Sequence, residues 1–255
     1  MNFKIAACTD AGIRKQTNQD SVLVKTAQTD YGRICLASVC DGMGGLAKGE
    51  LASATAVRFL CGWFENELPG LLCRKLNMEA LEAAWRDLIG RINEHIRVYS
   101  REAHISMGTT MVVLLIVDHT YYIVNVGDSR VYLLRNEPAQ LTRDQTFIQR
   151  EVDEGRMSRE AARRDSRRNL LLQCVGASPY IEPVFGSGDI FSGSMFLLCS
   201  DGFCHVITQE EIFRHLAPSR LSDEAAMQER LAYLIALDKY RGEPDNISAV
   251  LIRCD

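Results

Sequence analysis

Ile34-Cys-Leu-Ala-Ser-Val-Cys-Asp-Gly-Met-Gly-Gly45 organises the reading of this 255-residue chain. It predicts a buried strand, Ile34 to Cys40, that delivers the carboxylate of Asp41 where apolar sequence stops and glycine begins. Gly42, Gly44 and Gly45 leave the backbone free to turn sharply and to approach a ligand closely. Helix-favouring sequence follows from Leu46. The same pattern recurs far downstream. Met195-Phe-Leu-Leu-Cys-Ser200 is an apolar strand that leads to Asp201-Gly202, and Pro244-Asp245-Asn246 opens a final apolar run, Ile247 to Ile252. One Asp-Gly after a strand is ordinary turn chemistry. Three strand-end carboxylates, each beside glycine or a turn former, point to one oxygen-lined metal site. Carboxylate and carbonyl oxygens suit Mg²⁺ or Mn²⁺ rather than zinc.

The bulk numbers exclude several classes. A hydrophobic share of 47% and a charged share of 24% are those of a globular protein. A net charge of −4 makes no electrostatic case for nucleic acid or an anionic membrane as partner. The N-terminal apolar run is too short for a secretory signal, and Met111 to Val117, the longest apolar run, is far below spanning length. A cytoplasmic protein is expected. The nine cysteines are odd in number and contain no Cys-x-x-Cys pair, which argues against a disulfide framework or a thiolate zinc site. Cys40 and Cys199 read as small core residues.

Taken in order, Phe3 to Cys8 and Ser21 to Thr26 read as strands around a polar loop, and a turn at Asp30-Tyr-Gly32 leads to the strand that carries Asp41. This spacing predicts hairpins and an antiparallel sheet. Leu51 to Leu68 has helical spacing and is expected to end at Pro69-Gly70. Asn77 is expected to cap a helix from Met78 to about Glu102, with Leu81, Ala84, Trp85, Leu88, Ile92, Ile96 and Tyr99 on its inner stripe. Two such helices after strands predict a helical layer on a sheet. Met107-Gly-Thr-Thr110 opens a meander: Met111 to Val117, Tyr121 to Val126, then Arg130 to Arg135 after Gly127-Asp-Ser129. A helix is expected from Phe147. The tract Arg163-Arg-Asp-Ser-Arg-Arg168 reads as a solvated helix or mobile segment, or else as a flap that touches an anionic substrate. Sheet sequence resumes at Met195. Thr208 caps a helix to His215, and Ser222 caps the last helix, to about Lys239, with Ala225, Ala226, Leu231, Leu234 and Ile235 inward.

Metals held by Asp41, Asp201 and Asp245 could polarise a water, and two ions about 4 Å apart could clamp the attacking and leaving oxygens of a phosphate ester. The ordered set Asn18-Gln-Asp20, Asp41-Gly-Met-Gly-Gly45, Met107-Gly-Thr-Thr110, Gly127-Asp-Ser-Arg130, Ser200-Asp-Gly202 and Asp245-Asn246 resembles the metal-dependent protein phosphatase 2C family in its bacterial form. The resemblance runs from about Thr9 to Arg253, and Leu141 to Gly176 resembles the bacterial flap. It implies an α+β fold, a four-layer α-β-β-α sandwich of two central antiparallel β-sheets flanked by helices. One catalytic domain over residues 1–255 is expected, with the flap at about 141–176.

The resemblance further implies a binuclear Mn²⁺ or Mg²⁺ centre. By motif, Asp41 bridges both ions, the Gly42 carbonyl adds a ligand, and Asp201 and Asp245 complete the second. Asp128 with Asp201 matches a third, looser metal position, and Asp20 matches an acid that acts through water. The implied reaction is hydrolysis of phosphoserine and phosphothreonine in proteins, by direct attack of a metal-bridging water or hydroxide on phosphorus. The implied partners are phosphoprotein substrates of a serine/threonine kinase, and a monomer is expected.

Two departures stand out. The family's phosphate-holding arginine falls in register on Lys15, with Arg14 immediately before it. If that segment is extended, the two side chains face opposite ways, and lysine would bind phosphate as a point charge instead of a bidentate fork. Met43 stands where some members carry a histidine, so no general acid is assigned. Cys8-Thr-Asp-Ala-Gly-Ile-Arg14 offers a competing cysteine, five residues, arginine spacing, but Asp10 would put negative charge inside that phosphate cradle. A catalytically dead fold kept as a binding module is the other alternative.

Overall fold

The computed structural model describes residues 1–43, 48–74 and 76–255, with Arg163 described by its backbone alone. Gly44, Gly45 and Leu46, expected to form the glycine turn and the helix start, lie outside the described residues.

Strand β1 covers Phe3–Asp10, β2 Ser21–Thr29, β3 Gly32–Cys40 and β4 Gly42–Met43. Helices α1 (Gly49–Asn66), α2 (Leu68–Cys73) and α3 (Met78–Glu102) follow. Then come β5 (Gly108–Thr109), β6 (Met111–Val117), β7 (Thr120–Val126), β8 (Arg130–Leu134) and β9 (Pro138–Gln140). Helices α4 (Phe147–Asp153) and α5 (Arg159–Arg164) precede β10 (Val184–Asp189) and β11 (Met195–Cys199). Helices α6 (Gln209–Leu216) and α7 (Glu224–Tyr240) and strand β12 (Ile247–Cys254) close the chain.

Alternation along the strands explains the layers. On β3, Cys35, Ala37 and Val39 face one way, into a cluster with Val112, Leu114, Phe196, Leu198 and Val250. Leu36 and Cys40 face the other way, onto Leu60, Trp63, Trp85 and Leu88 of α1 and α3. On the second sheet, Leu197, Cys199 and Leu251 meet Met227, Leu231 and Leu234 of α7. Strands buried on both faces read as near-continuous apolar runs. The result is two five-stranded antiparallel sheets, β1-β12-β11-β8-β9 and β10-β7-β6-β3-β2, packed face to face with helices outside. This is the expected α+β sandwich. Truncating a side chain at its centre, such as Phe196, would cost about 3–5 kcal/mol.

Local details differ from the sequence reading. Pro69-Gly70 does not end the first helix: α1 stops at Asn66, and Pro69 sits in the first turn of α2, where its missing N–H costs nothing. Tyr99 is 39% exposed, because the α3 stripe drifts onto Ile89 and Asn93 instead. Asp223, not Ser222, caps α7 by accepting from Ala226 N, so the inward face carries Met227 and leaves Ala225 exposed. Strand β10 has no counterpart in the sequence reading; its glycines at 186 and 188 mask the alternation. Asn77 and Thr208 cap their helices as expected, and Thr146 caps the helix that starts at Phe147.

Candidate active site

The candidate site lies where both sheets release their chains at one end. Asp41 follows β3, Asp128 lies between β7 and β8, Asp201 follows β11 and Asp245 precedes β12. Asp20 closes the loop before β2. Five segments, separated by up to 225 positions, reach this end because each strand-end turn is packed against another. Thr110 N–H donates to the Asp41 carbonyl (2.9 Å), and Asp41 N–H donates to Thr110 Oγ1 (2.9 Å). A Cβ on Gly42 would meet the Gln19 carbonyl oxygen at 2.4 Å, and one on Gly202 would meet the Asn246 carbonyl oxygen at 2.2 Å. Glycine is required at both positions by close backbone approach. The Asn246 amide donates to the Ala11 and Thr17 carbonyls, and its Oδ1 accepts from Gln19 N, so the 11–19 loop is tied to the last turn.

The carboxylates perturb one another. Burial first, then the charges of Asp20, Asp201, Asp128 and Asp245, push Asp41 well above the usual carboxylate range. Burial and then Asp201 and Asp144 do the same to Asp128, with Arg130 opposing. Asp20 is raised to about 6, mainly by burial, although Ser200 Oγ donates to its Oδ2 at 2.9 Å. Asp201 goes the other way. Burial alone would raise it, but hydrogen bonds from His205, from the Asp41 carboxyl and from Gly202 N–H hold it at about 2. Asp41 and Asp201, 160 positions apart in sequence, are thus pushed in opposite directions by one shared environment.

As they stand among the described residues, no three His, Cys, Asp or Glu side chains form a set that could hold a metal ion. Cationic partners lie among them instead. Lys15 Nζ is 3.0 Å from Asp245 Oδ1, and His205 Nε2 is 3.1 Å from Asp201 Oδ2. The donor chemistry nonetheless fits a hard divalent cation: the ligand atoms are all carboxylate or carbonyl oxygens, and the buried Asp20 Oδ1 and Asp201 Oδ1 lack any hydrogen-bond partner.

Lys15 and Arg14 are separated by the fold. Residues 12–14 form a turn, not an extended segment. Lys15 faces the carboxylates; burial would lower its pKa, but Asp245, Asp41 and Asp201 raise it. Arg14 is exposed and makes no ion pair among the described residues.

Two residues escaped the sequence reading. His205 Nδ1 lies 3.2 Å from Glu243 Oε1, and the same oxygen accepts from Asp245 N at 3.1 Å. One buried carboxylate thus braces the turns that carry both Asp201 and Asp245. Burial opposes a charged His205, yet its bonds to Asp201 and Glu243 raise it to about 11. The spacing Asp201-x-x-x-His205 was the available signal.

The cysteine alternative loses ground. Cys8 lies within β1, paired with Ala249, and not at a loop start. Burial raises its thiol pKa, and Gln228 Nε2 donates to its sulfur at 2.8 Å. A nucleophilic thiolate needs the opposite shift.

The 141–176 segment is rooted beside the carboxylates. Gln145 N–H donates to the Gly127 carbonyl, and Val175 exchanges two backbone hydrogen bonds with Thr109. Its basic tract is partly neutralised: Arg164 pairs with Glu160 (3.3 Å) and Arg167 with Asp165 (2.8 Å), while the Arg163 side chain lies outside the described residues. Helix α5 ends at Arg164 with an exposed i,i+4 pair, and residues 166–169 of the tract continue as a turn. No described helix is long and apolar enough to cross a membrane.

Comparison with known proteins agrees with the fold. The sequence profile of protein phosphatase 2C matches residues 11–236. The serine/threonine protein phosphatase PstP of Mycobacterium tuberculosis is 33% identical over 250 residues, which is 98% of this chain but 44% of that protein. This chain thus spans less than half the length of that relative. The serine/threonine phosphatase stp of Listeria monocytogenes is 33% identical over 221 residues, 85% of this chain and 83% of the relative. The crystal structure of the PstP catalytic domain in complex with two manganese ions matches with a TM-score of 0.79 and 31% identity, covering 99% of each chain. Profile, relatives and architecture agree along nearly the whole sequence, and this chain belongs to the protein phosphatase 2C family.

Proposed function

We propose that this protein is a metal-dependent protein-serine/threonine phosphatase that hydrolyses phosphoserine and phosphothreonine esters in proteins. The observation that carries the reading is the placement of Asp20, Asp41, Asp128, Asp201 and Asp245 on five separate turns at one end of the sandwich, tied together by backbone contacts, in a partly buried site where their charges act on one another. Asp41, Asp201, Asp245 and the Gly42 carbonyl would hold two Mn²⁺ or Mg²⁺ ions, with Asp128 and Asp201 at a third and Asp20 acting through water. The two manganese ions of the PstP catalytic domain support that number and that class of ion. Such ions supply Lewis-acid chemistry, neutralising phosphoryl charge and acidifying water.

The chain's own residues do the rest. Lys15 directs a positive charge into the site and is suited to receive the substrate phosphate. His205 and Glu243 hold Asp201 and the Asp245 turn in register. No phosphorylated side chain is required. The likeness to PstP and stp, both named serine/threonine phosphatases, supports phosphoproteins as the substrate class. Nine unpaired cysteines support a reducing, cytoplasmic setting, and we treat the chain as a monomer and single catalytic domain.

The test is turnover of a phosphothreonine peptide with Mn²⁺ and with chelator, for the wild type and for Asp41→Asn and Asp245→Asn. Each substitution is expected to cut metal-dependent turnover by more than roughly 100-fold, since even residues that only support metal ligands cost 10–100-fold. Near-normal rates in either variant would remove that residue from the site. Binding of the peptide with no turnover in the wild type would favour a binding module.

A further inference from the structure

At the opposite end of the sheet β1-β12-β11-β8-β9 the chain forms a pocket of about 760 Å³ between the β8–β9 turn, the β10–β11 turn and the C-terminal end of α6. It is remote from the carboxylates. Ser194 and Ser200 bracket β11, and six residues of strand span about 20 Å. Arg135, Arg214 and Arg220 line it, and no aspartate or glutamate does among the described residues. In a chain with net charge −4, this is a local reversal of sign.

The walls are built rather than incidental. Arg135 donates from Nη2 to the Asp189 carbonyl (2.7 Å) and from Nε to Ser194 Oγ (3.2 Å), and its guanidinium lies 4.7 Å from the Phe191 ring centre. Arg253 donates from Nη1 to the Pro218 and Leu221 carbonyls, at 2.8 and 2.9 Å, and so fixes the loop that carries Arg220. No carboxylate ion-pairs with Arg135, Arg214 or Arg220 among the described residues. Of the acids close to α6 and the C-terminal strand, Glu211 pairs with Arg241, and Asp255 with Lys4 and Arg253. The local field is felt by His215, whose pKa is lowered by burial and then by Arg230 and Arg214. Phe191, 62% exposed, and Phe213 set apolar surface beside the guanidiniums.

Arginine guanidiniums recognise phosphate; Arg214 and Arg220 are exposed with their forks uncommitted among the described residues, while Arg135 is held in the wall by its own hydrogen bonds. A pocket this large is much bigger than one phosphate, and its aromatic rim suits a phosphate carried on a larger, partly apolar body. We propose that this pocket is a second phosphate-recognition site, without hydrolytic machinery, that docks a phosphorylated peptide segment of the protein substrate. The source of the ligand rests on the proposed function; the binding itself does not. A substrate held here by one phosphorylated segment would present another to the carboxylate site at raised effective concentration.

The experiment titrates the Mn²⁺-loaded full chain by calorimetry with a peptide whose phosphoserine is replaced by a non-hydrolysable phosphonate. Two binding events per chain are expected. One should weaken at least tenfold in Arg214→Glu/Arg220→Glu and in the milder Arg214→Gln/Arg220→Gln, with turnover of a small aryl phosphate and the melting temperature unchanged. Lys15→Ala should affect only the other event. A single event that the arginine variants leave unchanged would overturn the proposal. So would equal binding of the unphosphorylated peptide, or inorganic phosphate or a nucleotide binding at this pocket more tightly than the phosphonate peptide. A wild type that binds at the pocket but never turns over would refute the proposed activity and leave the docking site standing.

Discussion

Lys15, 3.0 Å from Asp245, and Arg14, exposed and unpaired among the described residues, separate two candidates of which register favoured the lysine and phosphate chemistry the arginine. Lys15→Ala is expected to lower kcat/KM for a phosphopeptide roughly 10–100-fold, mainly through KM, the loss of one charged hydrogen bond. Arg14→Ala should stay near wild type; steady-state kinetics of both variants decides, and equal small effects would take this loop out of the mechanism. Asp238 is a buried acid of a different kind. Both of its oxygens lack hydrogen-bond partners, and burial, then Cys204 and Glu243, push it up to about 9, against Arg241 and His205. A folded-state pKa above the unfolded one means that the folded protein keeps a proton the unfolded chain releases. Its contribution to stability is fully present below the ordinary carboxylate range and is lost as pH rises through about 9. Asp238→Asn should therefore raise the melting temperature more at about pH 8 than at about pH 5, flattening the profile. Parallel melting profiles for variant and wild type would show that Asp238 does not titrate in this way.

Strand ends are the elements that make the site, and glycine sets how closely they meet. A methyl group on Gly202 has 2.2 Å to the Asn246 carbonyl oxygen, so Gly202→Ala must push β11's exit away from the turn that carries Asp245. We expect about 1–3 kcal/mol of destabilisation, typical of overpacking, together with weakened Mn²⁺ binding. Gly62, inside α1, has nothing within 4 Å of its missing methyl. Gly62→Ala should stabilise by about 0.5–1 kcal/mol through helix propensity, with metal binding unchanged. Denaturant melts and metal titration of the pair test the contrast. Most of these elements were legible beforehand. Met111 to Val117 is apolar at nearly every position because it is buried on both faces. The Asn77 cap and the Leu81–Ile96 stripe follow from helical period. Pro69, Ser222 and β10 were not legible, because a proline inside a first turn, a cap one residue along and a strand with two glycines all depend on packing that period alone does not encode.

At the scale of the molecule, the sandwich gathers like charges at one end and must bear their repulsion. A divalent cation that binds only the folded state relieves it. At a hundredfold excess over Kd such an ion adds about 2.7 kcal/mol, which for a chain of this size means a rise in Tm of roughly 5–10 °C. Thermal unfolding with Mn²⁺ and with chelator measures it, and Asp41→Asn should lose most of the shift. An Mn²⁺-independent Tm in the wild type would count against a carboxylate metal centre.

From sequence alone came most of the strands and helices and the three acidic turns, because apolar periodicity and turn chemistry are local. The family's motif order extended that reading to the sandwich and to Asp20 and Asp128. Tertiary structure alone decided which side chains meet: that Lys15 and not Arg14 faces Asp245, that His205 reaches Asp201, that Glu243 braces His205, and that three arginines line one pocket at the far end. Those contacts join residues tens to hundreds of positions apart, and their distances are set by how two sheets stack and where each strand stops, which local preference does not specify.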